Sequence, residues 1–224
     1  MKQIKMVAGV LALGVTTGAC AGPLLLSEGF NNVASLSAAG WVFTNASTPV
    51  GQSWFQGNSG IFAAQSGAAN SYAGANFLST TANQGIVDNW LISPELSVGA
   101  GSTLSFYTRG ADAGFLDLLE VRFGSGASSA LANFSTLLAT VGNAGSYPVD
   151  DWTAYTLTLP TATSGRFAFR YSVADALDAD YIGIDSVTVT AVPEPATLLL
   201  AGLGLAAVCG TQRRKALIVP QASV

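Results

Sequence analysis

Short runs in which apolar and polar residues alternate fill most of the chain between its two ends. The clearest is Arg166–Val173, where aromatic and aliphatic residues take every second position and arginine, alanine or serine takes the positions between. Successive side chains of a strand point to opposite faces. The alternation therefore predicts a strand with Phe167 and Phe169 facing the core and Arg166 and Arg170 facing outward.

Ten further runs predict strands, because each is short, rich in β-branched and aromatic residues, and bounded by Gly, Ser, Asn or Pro. They are Leu24–Phe30, Trp41–Asn45, Trp54–Gln56, Ala73–Leu78, Asn89–Ser93, Thr103–Arg109, Leu119–Phe123, Phe134–Val141, Thr153–Leu159 and Tyr181–Thr190. The Gly-rich stretch Gly57–Asn70 is predicted to be a loop. With no long amphipathic helix among them, these runs predict an all-β antiparallel sandwich.

In the last of these runs, Tyr181–Thr190, the apolar residues switch part-way from one set of alternate positions to the other. Two isoleucines before Asp185 share one parity, and two valines after it take the other. A side-chain period of two allows this change only where one strand carries an extra residue. A β-bulge is therefore predicted at Asp185–Ser186.

The N-terminus has the order of a secretory signal peptide. Two lysines precede the apolar run Met6–Val15, and the A-x-A tripeptide Ala19–Ala21 follows it. A signal peptide is predicted over residues 1–21, with the mature chain beginning at Gly22. Acylation of Cys20 is the alternative, but Thr17 stands where a lipoprotein signal normally has leucine.

The other end carries a stiff turn, an uncharged apolar run and a basic cluster, in that order. These are Pro193-Glu194-Pro195, Ala196–Gly210 and Arg213-Arg214-Lys215. As a helix the apolar run would be about 22 Å long. It is predicted to be a short transmembrane segment, with the basic cluster on the cytoplasmic side. A buried C-terminal helix is the alternative, but the run has no polar face to meet water.

This tail resembles the PEP-CTERM sorting signal of Gram-negative bacteria, on Val192–Pro195, the apolar run and the pair Arg213-Arg214. The resemblance covers residues 192–215, and a short tail, 216–224, continues where the family usually stops. It implies transient anchoring in the inner membrane and recognition by an exosortase. It also implies an extracellular or cell-envelope location, linked to exopolysaccharide and biofilm.

Residues 22–191, between the two signals, hold four arginines, twelve carboxylates and no Lys, His or Cys. The resulting formal charge of −8 argues against nucleic acid, whose phosphates would be repelled. The missing residue types exclude Ser-His, Cys-His and Ser-Lys pairs, His/Cys zinc sites and a P-loop lysine. Carboxylate chemistry remains, as glycoside hydrolysis by an acid pair or as binding of a hard cation.

A second resemblance rests on short motifs in a fixed order. They are Ser27–Phe30, Gly40-Trp41, Trp54–Gly57, Ala64–Tyr72, Asn89–Pro94, Leu104–Phe106, Asp117–Arg122, Arg166–Tyr171 and Tyr181–Asp185. The series is similar to the choice-of-anchor J domain, a relative of the cleaved adhesin and MAM groups. It implies a lectin-like jelly roll over residues 22–191 and a non-catalytic surface module acting by adhesion or polysaccharide contact. A carbohydrate-active enzyme of the glycoside hydrolase type on the same sandwich is the alternative.

The same resemblance implies a structural cation, often calcium, held by acidic residues of the first and last strands. The matching positions are Glu28 or Asn31 near the start and Asp185 at the predicted bulge, with Asp117 as a further oxygen donor. Oxygen ligands suit calcium better than zinc or copper. The alternative role for Asp185 is a hydrogen bond to exposed backbone groups of the bulge.

Tryptophans are the candidates for stacking on sugar rings, although tryptophans of sandwich cores are commonly buried. Trp54 and Trp152 adjoin polar loops and are the better candidates of the four. The pair Asp150-Asp151 is a weak candidate for glycosidase acids, because adjacent residues of a strand point to opposite faces.

Overall fold

The computed structural model describes residues 22–142 and 145–191, which form two antiparallel six-stranded sheets. The strands are β1 (Leu24–Glu28), β2 (Val42–Asn45), β3 (Phe55–Gln56), β4 (Ala73–Asn76), β5 (Val87–Ile92), β6 (Leu96–Val98), β7 (Thr103–Gly110), β8 (Leu118–Ser125), β9 (Thr136–Gly142), β10 (Thr153–Thr158), β11 (Ala162–Val173) and β12 (Tyr181–Thr190). The predicted antiparallel sandwich is confirmed.

The β12 sheet has the order β10-β7-β12-β4-β3, with β1 beside β12. The β11 sheet has the order β2-β5-β11-β8-β9, with β6 beside β11. Strands β3 and β2 are therefore edge strands of different sheets. The 3₁₀ helix Val33–Ala39 contacts both of them, so these two edges lie on the same side of the sandwich.

The core lies between the sheets, as the alternation in β11 predicts. Phe167 and Phe169 are buried, and Phe169 packs on Phe106 of the β12 sheet with ring centroids 5.0 Å apart. Arg166 and Arg170 face outward and are half-buried. Ala168 has outward parity but is also buried, because Trp90, Ile92 and Phe134 form a small apolar cluster on the outer face of the β11 sheet.

The predicted bulge is confirmed in β12. The register between β12 and β7 shifts between Asp185 and Thr188, and Ser186 has a φ of 51°. On the opposite edge, β12 pairs with β4 up to Ile184 and with β1 from Val187 onward. The bulge thus lies where the strand changes its partner, which is where an extra residue can be accommodated.

Two strand segments were not predicted. Strand β6 was missed, and β11 begins at Ala162 rather than Arg166. Gly57–Asn70 is confirmed as a loop. The described helices are short 3₁₀ turns at Val33–Ala39, Phe77–Ser79, Thr81–Asn83, Leu131–Asn133 and Ala176–Asp178.

Across residues 22–142 and 145–191, no helix has the length and apolar character needed to cross a membrane. The predicted signal peptide, the PEP-CTERM tail with its span 196–210, and residues 216–224 lie outside the described residues.

Candidate functional site

A cleft of about 320 Å³ opens beside the bulge of β12. Its lining is Ser27, Glu28, Gly29, Asn31, Ser66, Gly67, Ser186 and Thr188. The fold thus brings Glu28 and Asn31, from the start of the domain, next to the bulge residue Ser186. Two of the four predicted cation ligands line this cleft, and a third, Asp185, adjoins it in the chain.

Asp185 is fully buried, and both of its carboxylate oxygens accept hydrogen bonds. The backbone N–H of Ser66 donates to Oδ2 at 3.0 Å, and that of Ser186 donates to Oδ1 at 2.5 Å. Burial raises the pKa of Asp185, and backbone hydrogen bonds from Ser66, Ser186 and Gln65 offset part of that rise. The carboxylate therefore fastens the loop Gly57–Asn70 to the bulge.

The cleft offers oxygen atoms, which are the ligands that a hard cation prefers. Glu28 accepts a hydrogen bond from the backbone N–H of Phe30 through Oε1, at 2.7 Å. A side chain at Gly67 would come within 3.3 Å of Asn31 Oδ1, so the glycine keeps that oxygen accessible. Within the described ranges no three Asp, Glu, His or Cys side chains form a metal-binding group. A cation here would therefore also need hydroxyl and backbone oxygens, which Ca²⁺ accepts.

Asp117 lies apart from this cleft. It is 1% exposed, and its Oδ1 accepts hydrogen bonds from the Tyr171 hydroxyl and, at 3.0 Å, from the Asp180 N–H. Asp180 precedes β12, about 16 Å along the chain from Asp185 at roughly 3.3 Å per residue. Asp117 precedes β8 in the other sheet, and its Oδ1 already accepts from the Tyr171 hydroxyl and the Asp180 N–H. The structure therefore does not bring Asp117 into the cleft that Glu28 and Asn31 line.

Burial raises the pKa of Asp117 to about 6, and the hydrogen bonds from Tyr171 and Asp180 offset only part of the cost of desolvation. Burial and the nearby Asp112 also raise the pKa of Asp180. Asp117 is thus a buried carboxyl that loses much of its charge in mildly acidic solution.

Trp152 is half-buried against the loop Gly57–Asn70. Its ring meets Phe62 and Tyr72 edge-on, with centroid distances of 5.4 and 5.5 Å, and its indole N–H donates to the Ala63 carbonyl at 2.8 Å. These contacts hold the loop on the outer face of the β12 sheet. Trp152 therefore has a structural role whatever surface it offers to a sugar.

Trp54 is 4% exposed, and its indole N–H donates to the Asn89 carbonyl at 3.2 Å. Its ring packs in the main core, so only a small part of this stacking candidate reaches the surface. Its remaining surface forms part of a groove of about 480 Å³.

This groove, here named the β2–β3 groove, runs between the two edge strands and the helix Val33–Ala39. Its lining is Asn32, Val33, Ala34, Ser37, Phe43, Ser53, Trp54, Phe55 and Gln56. The sequence did not reveal it, because Phe43 and Phe55 are ordinary strand residues in the alternating pattern. Only the meeting of two sheet edges turns them into the walls of one groove.

The outer face of the β11 sheet carries an ion network. Arg170 donates to Asp88 at 2.7 Å and to Glu120 at 2.9 Å, and it lies 5.1 Å from the ring centroid of Trp90. Burial alone would raise the pKa of Glu120, but hydrogen bonds from Arg122 and Arg170 outweigh it and lower the pKa. The Glu120 carboxyl is therefore held ionised by the two arginines.

The family model of the PEP-CTERM protein-sorting motif matches residues 191–215. The chain carries a PEP-CTERM sorting motif. Such a motif implies processing by an exosortase-type sorting enzyme. Comparison with curated protein sequences gave no match.

The sandwich is similar to cleaved adhesin domains of Lys-gingipain from Porphyromonas gingivalis. The K1 domain is 26% identical with a TM-score of 0.59, over 74% of this chain and 97% of that domain. The K3 domain is 22% identical with a TM-score of 0.59, over 76% of this chain and 99% of that domain. The predicted PEP-CTERM motif and the predicted cleaved-adhesin-like sandwich are both confirmed. Residues 22–191 are called the adhesin-like domain below.

Proposed function

We propose that this protein is an exported, non-catalytic module that acts in the extracellular matrix or biofilm by adhesion or polysaccharide contact. The observation that carries the proposal is a PEP-CTERM motif joined to an adhesin-like domain in one chain. Sorting by an exosortase would deliver the domain to the cell envelope. An adhesin-like sandwich suits contact with other molecules there, although the fold alone does not determine the ligand.

The carboxylates favour binding over hydrolysis. A glycosidase needs two carboxyls about 5–10 Å apart across a cleft, one of them a general acid with a raised pKa. The pKa of Asp117 is raised, but its side chain is 1% exposed and hydrogen-bonded to Tyr171. On the outer face, Asp88 and Glu120 are tied to Arg170. These acids are engaged in contacts within the fold and are poorly placed to flank a glycosidic bond.

The proposal is tested with the full-length exported protein, purified in detergent, on immobilised exopolysaccharide from the producing bacterium. We expect retention of the protein without release of new reducing ends. Passage without retention, for a protein that also fails to adhere to the producing cells, would contradict the proposal. Release of reducing ends in proportion to protein would instead support the glycoside hydrolase alternative.

Sorting has its own test. Replacing Arg213, Arg214 and Lys215 by glutamine should disturb membrane fractionation and processing, because the apolar run is short and relies on the basic cluster. Unchanged fractionation and processing of the triple variant would contradict the proposed role of the tail.

The predicted signal peptide is tested by N-terminal sequencing. The N-terminus of the exported protein should be Gly22.

A structural calcium ion is proposed for the cleft beside the bulge. Glu28 and Asn31 would bind it together with backbone oxygens of the lining and the Ser186 hydroxyl. The predicted ligand Asp185 would support the site from behind the lining, because both of its oxygens already accept backbone hydrogen bonds. Because the cleft joins β1 and β12, a bound ion would tie the first and last strands together.

A further inference from the structure

We propose that the β2–β3 groove binds a neutral glycan. The inference rests on the proposed function as a matrix-contact module, and it adds the place of contact and the chemical class of the ligand. Four properties of the groove carry it: aromatic walls, free polar groups at the rim, an uncharged lining and a rigid frame.

The walls are aromatic. Phe43 and Phe55 are half-buried, so part of each ring borders the groove. Trp54, which precedes Phe55, also lines the groove with the 4% of its surface that is exposed. Phe55 is held by an edge-on contact with Tyr181 at 5.8 Å, and Phe43 packs against the main core. Rings fixed in this way offer apolar surface at little cost in conformational entropy, which suits the C–H faces of sugar rings.

The rim carries polar side chains that the fold uses little. Asn32 precedes the helix Val33–Ala39 and is exposed, and its side chain makes no capping hydrogen bond there. Ser37 of the same helix is exposed, and Ser53 reaches Asn89 only at 3.5 Å. An amide and two hydroxyls can both donate and accept, as sugar hydroxyls require. A few such groups around an apolar floor are typical of small-molecule sites.

The lining is uncharged. None of its nine described residues is acidic or basic, although residues 22–191 have a formal charge of −8. A uronic-acid or sulfated polymer would find no cation here to pair with, and the field of the domain would repel it. A neutral sugar has neither disadvantage. The charge pattern therefore selects a neutral glycan over an anionic one.

The frame is held by Gln56. Its Oε1 accepts a hydrogen bond from the Val33 N–H at 2.9 Å, and its Nε2 donates to the carbonyls of Phe30 and Asn70 at 2.9 and 2.6 Å. One side chain of β3 thus fixes the start of the helix that forms the opposite wall. The volume of about 480 Å³ falls within the range of about 300–1,000 Å³ common for ligand sites.

The helix Val33–Ala39 offers a blocking variant with a matched control. A 3₁₀ helix has three residues per turn, so Ala34 and Ser37 share the face that lines the groove, while Ala38 belongs to the next face. Both alanines are exposed. Ala34→Arg should fill the groove, and Ala38→Arg should add the same side chain outside it. Equal melting temperatures would show that both variants keep the fold.

The test is titration calorimetry on the full-length protein with cellohexaose, xylohexaose, mannohexaose, maltohexaose and hexagalacturonate. We expect at least one neutral hexasaccharide to bind the wild type and hexagalacturonate not to bind. Ala34→Arg should weaken that binding by about tenfold or more, a loss of about 1.4 kcal/mol, and Ala38→Arg should leave it within about twofold.

Each other outcome overturns the inference. Equal binding to both variants would place the site elsewhere and leave the proposed function intact, as would a preference for hexagalacturonate. Failure of every hexasaccharide would overturn the inference, and exopolysaccharide retention would then decide the proposed function separately. Binding of an extended peptide, with no binding of any hexasaccharide, would instead indicate that a partner strand pairs with the edge of β2 or β3.

Discussion

Asp117, beside the start of β12, and Asp185, in the middle of β12, are two buried carboxyls that differ in how their oxygens are used. Each is at most 1% exposed, and burial raises the pKa of each. Tyr171 and Asp180 both donate to the same oxygen of Asp117. At Asp185, by contrast, Ser66 donates to one oxygen and Ser186 to the other.

The difference shows that burial does not decide what an acid contributes. An asparagine at 117 keeps an oxygen where both donors point and removes a charge that is costly to bury. An asparagine at 185 replaces an accepting oxygen by a donating NH₂ group, which leaves a backbone N–H without an acceptor. The same substitution is therefore expected to have opposite effects at the two positions.

The largest expected loss of stability comes from an apolar residue of the same core, and the effects at the two acids can be compared with it. Phe169 lies on β11 two positions before Tyr171, and it is fully buried. Phe169→Ala should cost about 3–5 kcal/mol, through lost transfer energy and a residual cavity. Urea unfolding of the exported protein measures this loss. A cost below about 1 kcal/mol would mean that β11 does not present this face to the core.

Asp117 is expected to make stability depend on pH. Its pKa rises from 3.8 to about 6 on folding, so the folded state holds the proton more tightly than the unfolded state. Stability from this group is thus fully present below pH of about 4 and is lost as pH rises through about 6, by roughly 3 kcal/mol. Asp117→Asn should remove this dependence and stabilise the protein at pH 7 by about 2–3 kcal/mol.

Unfolding curves at pH 5 and pH 7 for wild type and Asp117→Asn test the prediction. Asp112→Asn is the matched control, since Asp112 is an exposed aspartate of the preceding loop. If Asp117→Asn destabilised the protein at pH 7 while the control did not, the charged form of Asp117 would be the one that the fold requires.

Asp185→Asn is expected to destabilise the protein by about 1–2 kcal/mol at pH 7, because the Ser66 N–H loses its acceptor. Removing a buried charge works in the opposite direction, but three backbone N–H groups converge on this carboxylate. Hydrogen exchange at Ser66 should accelerate along with the loss of stability. If Asp185→Asn instead stabilised the protein, as Asp117→Asn is expected to do, the proposed difference between the two carboxyls would be wrong.

The smallest expected effect is that of calcium at the cleft. With an affinity of about 0.1 mM, calcium at roughly 1 mM stabilises the fold by about 1.4 kcal/mol. This corresponds to a rise in melting temperature of roughly 3–6 °C for a domain of this size. Glu28→Gln should abolish most of the rise, whereas Glu95→Gln, at an exposed acid outside the cleft, should keep it. Identical melting of the wild type with calcium and with chelator would eliminate the ion and leave Asp185 as a bulge residue.

Much of the sandwich could be predicted because alternation along a strand shows which face of the sheet each of its residues occupies. Alternation in β11 placed Phe167 and Phe169 correctly, and a change of parity within ten residues located the bulge at Asp185–Ser186. The missed segments lack this signal. Strand β6 has only three residues, and residues 162–165 are small, so their strand state comes from pairing with β6 and β8.

By itself the sequence determined the C-terminal sorting motif, the class of fold, the faces of the long strands and the absence of histidine, cysteine and lysine chemistry from residues 22–191. Only the tertiary structure decided which polar groups from distant parts of the chain come within hydrogen-bonding distance. Asp185 and Ser66 are 119 residues apart, and Gln56 and Val33 are 23 apart, yet each pair is joined by a hydrogen bond. Periodicity describes one strand at a time, whereas the cleft, the β2–β3 groove and the burial that shifts the pKa of Asp117 all require distant strands and loops to pack together.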